Sequence, residues 1–275
     1  MRSEFYLKIK NYVFQRFPRI VLYPTLNAID KLNIKLVFRS QSNEFQIIEN
    51  LLKLNSDQLE IEFLEFGFDP TEFNCARISQ SGHKGTLIDL DSKKVTVAQK
   101  VLNKKTRIIN GKIEIESLKT FKVKNKFYIV SIDVDGNDYE FAREAFLHLV
   151  PAILICEYNA IYQEKRVKVP YDKNFDRRNY HGNYYGCSLT SLVDLAHSFG
   201  YCLAGVSSSA VNAFFIPSRF ASRETCAENL DYGINQNKLG TVSRQGKREL
   251  SQMLQEIKSF SLDDLGKLAI RCSAN

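Results

Sequence analysis

Short apolar segments that alternate with helix-like stretches constrain the fold of this chain more than any other feature. The apolar segments are 61–66, 85–89, 106–109, 127–132, 152–156, 201–206 and 212–216. The helix-like stretches are 72–81, 92–102, 137–149 and 188–199. Several of the segments are continuously apolar, which is typical of strands buried on both faces. The sequence therefore predicts an α/β fold with a mostly parallel sheet of seven strands and helices on both faces.

The pattern also predicts how the chain is organised around this core. Residues 1–60 have mostly helical apolar spacing and predict an N-terminal helical extension. The predicted core spans 61–217 and contains a polar, Tyr- and Asn-rich insertion at 159–187. Helical spacing returns in the tail, which predicts a C-terminal helical extension over 218–275.

Composition limits the classes of protein that need to be considered. No apolar run approaches the roughly 18–20 residues that cross a bilayer, and the first residues lack the pattern of a signal peptide, so the expected location is cytoplasmic. The six cysteines are scattered, without a CxxC pair or metal-finger spacing, and are expected to be free and mostly buried thiols.

The positive charge of the chain is uneven. The formal net charge is +7, and residues 1–40 contain eight Lys and Arg residues but two acidic ones. Such a segment can contact nucleic acid, an anionic membrane surface or an acidic substrate, or it can be a solvated helix face. A peripheral membrane contact of this segment and a homodimeric assembly are left open.

The carboxyl ends of the predicted strands are unusually acidic. In an open parallel sheet this edge binds ligands. The acidic residues there are Glu65, Asp69, Asp89, Asp91, Asp133, Asp135 and Glu157. Asp89, after the second strand, suits a ribose diol, because a carboxylate accepts hydrogen bonds from both hydroxyls.

The loop after the first strand separates two cofactor classes. It has Gly67 but lacks the remaining glycines of the dinucleotide-binding fingerprint, which argues against a nicotinamide dehydrogenase. Asp69 would repel a pyrophosphate and better fits the cationic amino-acid end of S-adenosylmethionine.

Two linked motifs carry a more specific resemblance. Residues 131–139 read SIDVDGNDY, and residues 155–159 read ICEYN. With 169–172 (VPYD), 185–189 (YGCSL) and 211–215 (VNAFF), they resemble the FkbM-like branch of the class I S-adenosylmethionine-dependent methyltransferases, in particular a bacterial subgroup with SIDIDGNDYW-type and IEYN-type motifs. The resemblance covers 61–217 and implies a Rossmann-like methyltransferase core.

The resemblance also implies roles for individual residues. The implied cofactor-binding residues are Glu65 and Gly67 at the methionine end, Asp89 at the ribose, Asn110 near the adenine and Asp133 near the transferring methyl. Asp135 and Glu157 would face the acceptor. The subgroup has more glycine where this chain has Phe68, Pro70 and Thr71, so a degenerate fold that serves as a binding protein is a second hypothesis.

Methyl transfer to a hydroxyl needs alignment and removal of the hydroxyl proton. Two routes fit the residues. In one, Asp133, Asp135 and Glu157 hold Mg²⁺ or Mn²⁺, for which hard oxygen ligands are suited. In the other, one of these acids or His181, in the insertion, is the general base.

The insertion also points to the kind of acceptor. Several of its tyrosines suit a sugar ring, including Tyr171, Tyr180, Tyr184 and Tyr185. Family members often methylate sugars, so the expected acceptor is a hydroxyl of a sugar, nucleotide-sugar or glycan. A nucleic-acid methyltransferase is the alternative that the positive charge suggests, but the chain lacks the Asn/Asp-Pro-Pro-Tyr tetrad of base-amino chemistry, and its basic residues are concentrated away from the motifs.

Overall fold

The computed structural model describes residues 40–54, 60–119, 127–180 and 183–237. The predictions for residues 1–39, for the tail after 237 and for His181 lie outside these residues. No helix in the described part of the chain is long and apolar enough to cross a membrane.

Seven strands form a single sheet with the order β3-β2-β1-β4-β5-β7-β6. The strands are β1 (Ile61–Phe66), β2 (Lys84–Asp89), β3 (Thr106–Asn110), β4 (Phe127–Ile132), β5 (Ile153–Glu157), β6 (Tyr201–Val206) and β7 (Asn212–Pro217). The first five strands are parallel, and β7 is antiparallel to both β5 and β6. The predicted mostly parallel seven-stranded sheet is therefore confirmed.

Helices cover both faces of this sheet. The α-helices are α1 (Glu44–Lys53), α2 (Ala76–Gln80), α3 (Ser92–Val101), α4 (Ile115–Leu118), α5 (Asp138–Glu144), α6 (Leu189–Ser198) and α7 (Arg223–Gln236). A π-helical turn, Ala145–Leu149, extends α5, and short 3₁₀ turns lie at Ala160–Tyr162, Arg177–Asn179 and Ser218–Phe220.

Alternate residues of the central strands enter two separate hydrophobic clusters. Leu64 of β1 and Val130 of β4 belong to the cluster that includes α5 and α6. Phe63 and Ile129, one position earlier, belong to the cluster that includes α1, α2 and α3. Because side chains alternate across a strand, both faces of the sheet are buried, as the continuous apolar segments predict.

Helix α1 packs on the same sheet as the core. Ile48 is fully buried in one cluster with Phe214 of β7. The carboxylate of Glu44 is also buried, and it accepts a hydrogen bond from Asn212 Nδ2 (3.4 Å). The described end of the predicted N-terminal extension is thus part of the hydrophobic core, while the domain boundary at residue 60 stays a prediction.

One pair of cysteines corrects the expectation of free thiols. Cys202 of β6 and Cys226 of α7 form a disulfide bond, with a Cα–Cα distance of 5.7 Å. Cys75, Cys156 and Cys187 are buried thiols outside any disulfide bond, as expected. The spacing of 24 residues carries no signal for this bond, because α7 meets β6 only through tertiary packing.

Candidate active site

A cavity of about 1080 Å³ lies at the carboxyl ends of β1, β2 and β4. One wall is formed by strand ends and the loops that follow them: Gly67, Ile88–Asp91, Lys94, Gly111–Glu114, Asp133–Asp135, Asn137 and Phe141. The other wall comes from the insertion: Tyr171, Lys173, Phe175, Asp176, Arg177, Arg178 and Tyr180. We call these the strand-end wall and the insertion wall. The cavity lies where ligands bind in open α/β sheets.

The loop after β4, residues 133–138, is shaped by a buried carboxylate. Asp138 is fully buried, and its two oxygens accept hydrogen bonds from the backbone N–H of Val134 and of Gly136, both at 2.9 Å. This arrangement turns the chain so that Asp135 adopts a left-handed backbone (φ 59°), a conformation that Asp tolerates better than most residues. Asp138 thereby fixes where the loop presents Asp133 and Asp135.

Three acidic side chains come together at this loop. One oxygen each of Asp133, Asp135 and Glu157 lies within 4.8 Å of the others. The sequence motifs predicted all three as site residues, and the fold brings them together, because β4 and β5 are paired parallel neighbours. Asp133 and Asp135 line the cavity, while Glu157 is buried behind them.

Burial and mutual repulsion favour a proton or a cation in this cluster. Burial, followed by the charge of Asp135, raises the pKa of Asp133 to about 6. Burial, followed by the charge of Asp133, also raises the pKa of Glu157 well above its ordinary value, and the two carboxyl groups are hydrogen-bonded. Among the described residues, Oε2 of Glu157 has no hydrogen-bond partner although it is buried, so the cluster has an oxygen that can still accept a proton or ligate a cation.

Asp89, at the end of β2, lies in the strand-end wall and is largely buried. Its oxygens accept hydrogen bonds from the backbone N–H of Phe68 (3.1 Å) and of Asp91 (2.7 Å), and Lys94 Nζ is 3.5 Å away. Each carboxylate oxygen has two acceptor positions, so the side chain can accept further hydrogen bonds from the cavity. Asn110 Nδ2 donates to the carbonyls of Asp89 and Leu90, both at 3.1 Å, and so holds this turn; Asn110 is not among the residues that line the cavity.

The loop after β1 is closed by packing. Gly67 adopts φ +72°, and a Cβ there would be 1.6 Å from the carbonyl oxygen of Asp133, so only glycine fits. Phe68 and Phe73 are buried with ring centroids 6.4 Å apart. Asp69 accepts hydrogen bonds from the N–H (3.0 Å) and the hydroxyl (2.6 Å) of Thr71. Of these residues, only Gly67 lines the cavity.

The side chain of Glu65 is buried and hydrogen-bonded to the backbone. Its oxygens accept hydrogen bonds from the backbone N–H of Asn74 (2.8 Å) and of Cys75 (2.9 Å), just before α2 begins. Burial raises the pKa of Glu65 to about 7. Like Asp69, Glu65 is not among the residues that line the cavity.

The insertion is fastened to the loop 133–138 by several contacts. Asn137 Nδ2 donates to the carbonyl of Asp172 (2.9 Å), and the N–H of Asp172 donates back to Asn137 Oδ1 (3.2 Å). The ring of Phe175 packs on Gly136, where a Cβ would be 2.2 Å from it. Arg177 lies 3.7 Å above the ring of Tyr185 and donates to Asp135 Oδ1 (3.1 Å). The polar insertion therefore lies against the loop 133–138 at the strand ends.

Sequence reasoning missed three residues that build this site. Asp138 and Asn137 shape the loop and hold the insertion, and Arg177 contacts the acidic cluster. Asp138 lies within the motif at 131–139. An Asp next to a tight turn often accepts hydrogen bonds from the backbone N–H groups of that turn, so its position was a usable signal. Arg177 is separated from Asp135 by 42 residues, and no local pattern connects them.

The strand order 3-2-1-4-5-7-6 with a reversed β7 defines the Rossmann-like fold of the class I methyltransferases. No family model and no curated protein matches the chain. Solved structures with similar folds include a TehB-like SAM-dependent methyltransferase from Corynebacterium glutamicum (13% identity, 65% of this chain and 89% of that chain, TM-score 0.39). Others are a SAM-dependent methyltransferase from Clostridium acetobutylicum (11%, 63% and 89%, 0.40) and an O-methyltransferase from Bacillus cereus in complex with SAH (14%, 76% and 96%, 0.41). At these TM-scores, the fold assignment rests on the chain's own strand order.

Proposed function

We propose that this chain is an S-adenosylmethionine-dependent methyltransferase that acts on a hydroxyl of a small polar acceptor. The observation that carries the proposal is that Asp89 and Asp133, at the ends of β2 and β4, line one cavity. Its volume of about 1080 Å³ slightly exceeds the roughly 300–1,000 Å³ range of small-molecule sites. The cavity therefore has room for a cofactor and an acceptor together.

The donor set fits S-adenosylmethionine better than a dinucleotide. Asp89 offers acceptor positions to a ribose diol, and Gly67 and Asp133 lie farther along the same wall. The cavity here is rich in carboxylates, which favour a cationic cofactor and disfavour a pyrophosphate. When bound, S-adenosylmethionine supplies a methyl group on a positively charged sulfur. Contacts of Glu65, Asp69 and Asn110 with the cofactor remain predictions from the sequence.

Asp133 is the residue we assign to proton removal. It faces the cavity, and its pKa of about 6 is closer to neutral pH than that of an ordinary carboxylate, which makes it a stronger base. Glu157, whose pKa is raised well above its ordinary value, is the protonated partner in a hydrogen bond with Asp133 and so favours the ionised form of Asp133. His181, the other base predicted from the sequence, remains a second assignment.

The same acids fit a divalent cation. Asp133, Asp135 and Glu157, whose Oε2 accepts no hydrogen bond from the described residues, would hold Mg²⁺ or Mn²⁺, since both cations prefer oxygen ligands. Such an ion would lower the pKa of a bound hydroxyl. The contact of Arg177 with Asp135 already brings one positive charge to the cluster.

The second half of the proposal concerns the acceptor. The aromatic side chains of the insertion wall support a sugar, nucleotide-sugar or glycan hydroxyl, and the FkbM-like motifs support the same choice. The basic residues that suggested nucleic acid or a membrane surface lie in 1–39, outside the described residues. The cytoplasmic location and the homodimer likewise remain predictions from the sequence.

A second candidate function has a specific observation in its favour. Phe68 and Phe73 fill the loop after β1 and are buried in the core. This is the loop where the resembling subgroup carries glycines for the methionine end of the cofactor. A protein of this fold that binds the acceptor without transferring a methyl group would be consistent with that packing.

Calorimetric titration with S-adenosylmethionine and S-adenosylhomocysteine tests the proposal. We expect both to bind the folded protein and the Asp89→Asn variant to bind them at least about tenfold more weakly, since hydrogen bonds to a charged group contribute about 1.5–3 kcal/mol. Asp194→Asn is the matched control, because Asp194 pairs with Arg166 and is not among the residues that line the cavity. If the folded protein binds neither compound, the methyltransferase proposal is wrong and the binding-protein candidate replaces it.

A separate titration with Mn²⁺ tests the cation. Binding that is lost in Glu157→Gln and retained in Asp194→Asn would support a site at the acidic cluster. If Glu157→Gln and the parent protein bind Mn²⁺ equally, the cluster does not ligate a metal, and Asp133 acts as the base without one.

A further inference from the structure

The two walls of the cavity differ in charge. The strand-end wall has five acids (Asp89, Asp91, Glu114, Asp133 and Asp135) and two lysines (Lys94 and Lys112). The insertion wall has three cations (Lys173, Arg177 and Arg178) and one acid (Asp176). A ligand that spans the cavity therefore meets negative charge at one end and positive charge at the other.

Two of the three cations fasten the insertion to the strand ends. Lys173 Nζ is 2.8 Å from Glu114 Oε1, and Arg177 Nη1 is 3.1 Å from Asp135 Oδ1. Each of these ion pairs joins the two walls, so the charges of Lys173 and Arg177 are already paired with acids of the strand-end wall.

Arg178 is arranged differently. Its Nε and Nη2 donate to Asp176, two residues away in its own wall, and its side chain is 89% exposed. A guanidinium has five N–H donors in a fixed fork, so the contact with Asp176 orients the group and leaves three donors for other acceptors. Exposed ion pairs contribute only about 0–1 kcal/mol, so a phosphate can compete for this group.

Aromatic rings lie on the same wall. Tyr180 is 44% exposed and stacks on Phe175, with centroids 5.1 Å apart and ring planes within 6° of each other. Tyr171 is 41% exposed. A sugar or a nucleobase can lie against such a ring, while the arginine fork suits a phosphate.

We propose that the acceptor is a phosphorylated, ring-containing small molecule, whose phosphate is bound by Arg178 and whose ring lies against Tyr180. This inference deepens the proposed function by naming the substrate class. The acids of the strand-end wall repel a phosphate and so orient the acceptor. Its phosphate then lies at the insertion wall, and an uncharged hydroxyl lies towards Asp133.

Calorimetry with four probes tests the proposal: glucose 6-phosphate against glucose, and uridine 5′-monophosphate against uridine, each with saturating S-adenosylhomocysteine. We expect at least one phosphorylated probe to bind about tenfold or more tightly than its parent, as one charge-assisted bidentate contact provides. The pair that shows the difference distinguishes a sugar phosphate from a nucleotide.

Arg178→Gln should reduce the preference for phosphate to less than about threefold, because most of the charge-assisted contact is lost. Arg166→Gln is the matched control: Arg166 is also an exposed arginine paired with an aspartate, Asp194, and is not among the residues that line the cavity. Both side chains are exposed, so both variants should fold. Equal binding of each phosphorylated probe and its parent, or equal losses in the two variants, would overturn the proposal.

A repeat without S-adenosylhomocysteine separates this inference from the proposed function. If the protein does not bind the cofactor but still prefers phosphate through Arg178, the methyltransferase proposal fails and the anion site stands. If the cofactor binds normally and no phosphate preference is found, only the substrate class is wrong.

Discussion

Two loops lie at the same edge of the sheet, 67–75 after β1 and 133–138 after β4, and they direct their side chains to different places. Their strands are paired in parallel, with Phe66 beside Ile132, so both loops begin at the same level. The first folds its side chains inward, and Phe68 and Phe73 join the core. The second presents Asp133 and Asp135 to the cavity. Position at the carboxyl edge therefore does not by itself place a loop in the site. The packing of its side chains determines whether they face the cavity or the core.

Each loop is organised by a buried carboxylate that accepts two backbone N–H bonds. Glu65 does this for the first loop, with Asn74 and Cys75, and Asp138 does it for the second. The loops also touch, since Gly67 packs against the carbonyl of Asp133. Two kinds of residue therefore occur at this edge: buried residues that shape a loop, and residues that the shaped loop exposes.

The largest effect is expected where the loops touch. Gly67→Ala should prevent stable folding, because the new Cβ would lie 1.6 Å from the Asp133 oxygen in a left-handed backbone. Thermal denaturation followed by circular dichroism measures this. Gly111→Ala is the control, since its Cβ would meet no heavy atom within 4 Å; equal melting temperatures of the two variants would show that the loops can separate.

The next largest effect concerns the closed loop. Phe68→Ala should lower the free energy of unfolding by about 3–5 kcal/mol, the usual cost of removing a buried phenylalanine ring. Tyr171→Ala, which removes an exposed ring of the cavity, should cost much less. Denaturant unfolding gives both values. If Phe68→Ala costs no more than Tyr171→Ala, the first loop is not held by core packing.

The pH dependence of stability probes the two shaping carboxylates. The pKa of Glu65 is about 7 in the folded protein against 4.5 as its ordinary value. The folded state then binds more protons than the unfolded state between these pH values, so stability decreases as pH rises from about 4.5 to about 7. This difference between the folded and the ordinary pKa of Glu65 corresponds to a change of about 3 kcal/mol in the free energy of unfolding. The pKa of Asp138, also about 7, has the same sign.

Unfolding free energies at several pH values should therefore fall less steeply in Glu65→Gln than in the parent. The charge of Asp133 and the thiol of Cys75 face Glu65, so Cys75→Ser is a useful control for the surroundings. An unchanged slope in Glu65→Gln would mean that Glu65 is ionised in the folded protein at low pH.

The smallest effect on stability is expected at the open loop. Asp135→Asn should change the free energy of unfolding by less than about 0.5 kcal/mol, because the side chain is 69% exposed and Asn also tolerates a left-handed backbone. The same variant should weaken Mn²⁺ binding, which electron paramagnetic resonance can follow. A large loss of stability with unchanged Mn²⁺ binding would make Asp135 a shaping residue rather than an exposed ligand.

The two loops also differ in how much of them could be predicted from the sequence. The acids of the open loop could be predicted, since Asp133 and Asp135 directly follow an apolar strand and belong to a recognisable motif. Their meeting with Glu157 follows from parallel pairing of two strands. The closed loop was harder: Glu65 and Asp69 stand at the same kind of position, but their hydrogen bonds to nearby N–H groups and the burial of Phe68 have no periodic signal.

The sequence by itself determined the α/β class, the succession of seven strands and the acidic character of their carboxyl ends. These properties depend on local periodicity and on the residues next to each strand. Only the tertiary structure decided that α1 joins the core, that Cys202 meets Cys226, that Phe68 turns inward and that Arg177 reaches Asp135. Each of these contacts depends on how separate elements pack, and packing is set by the whole chain rather than by any one segment.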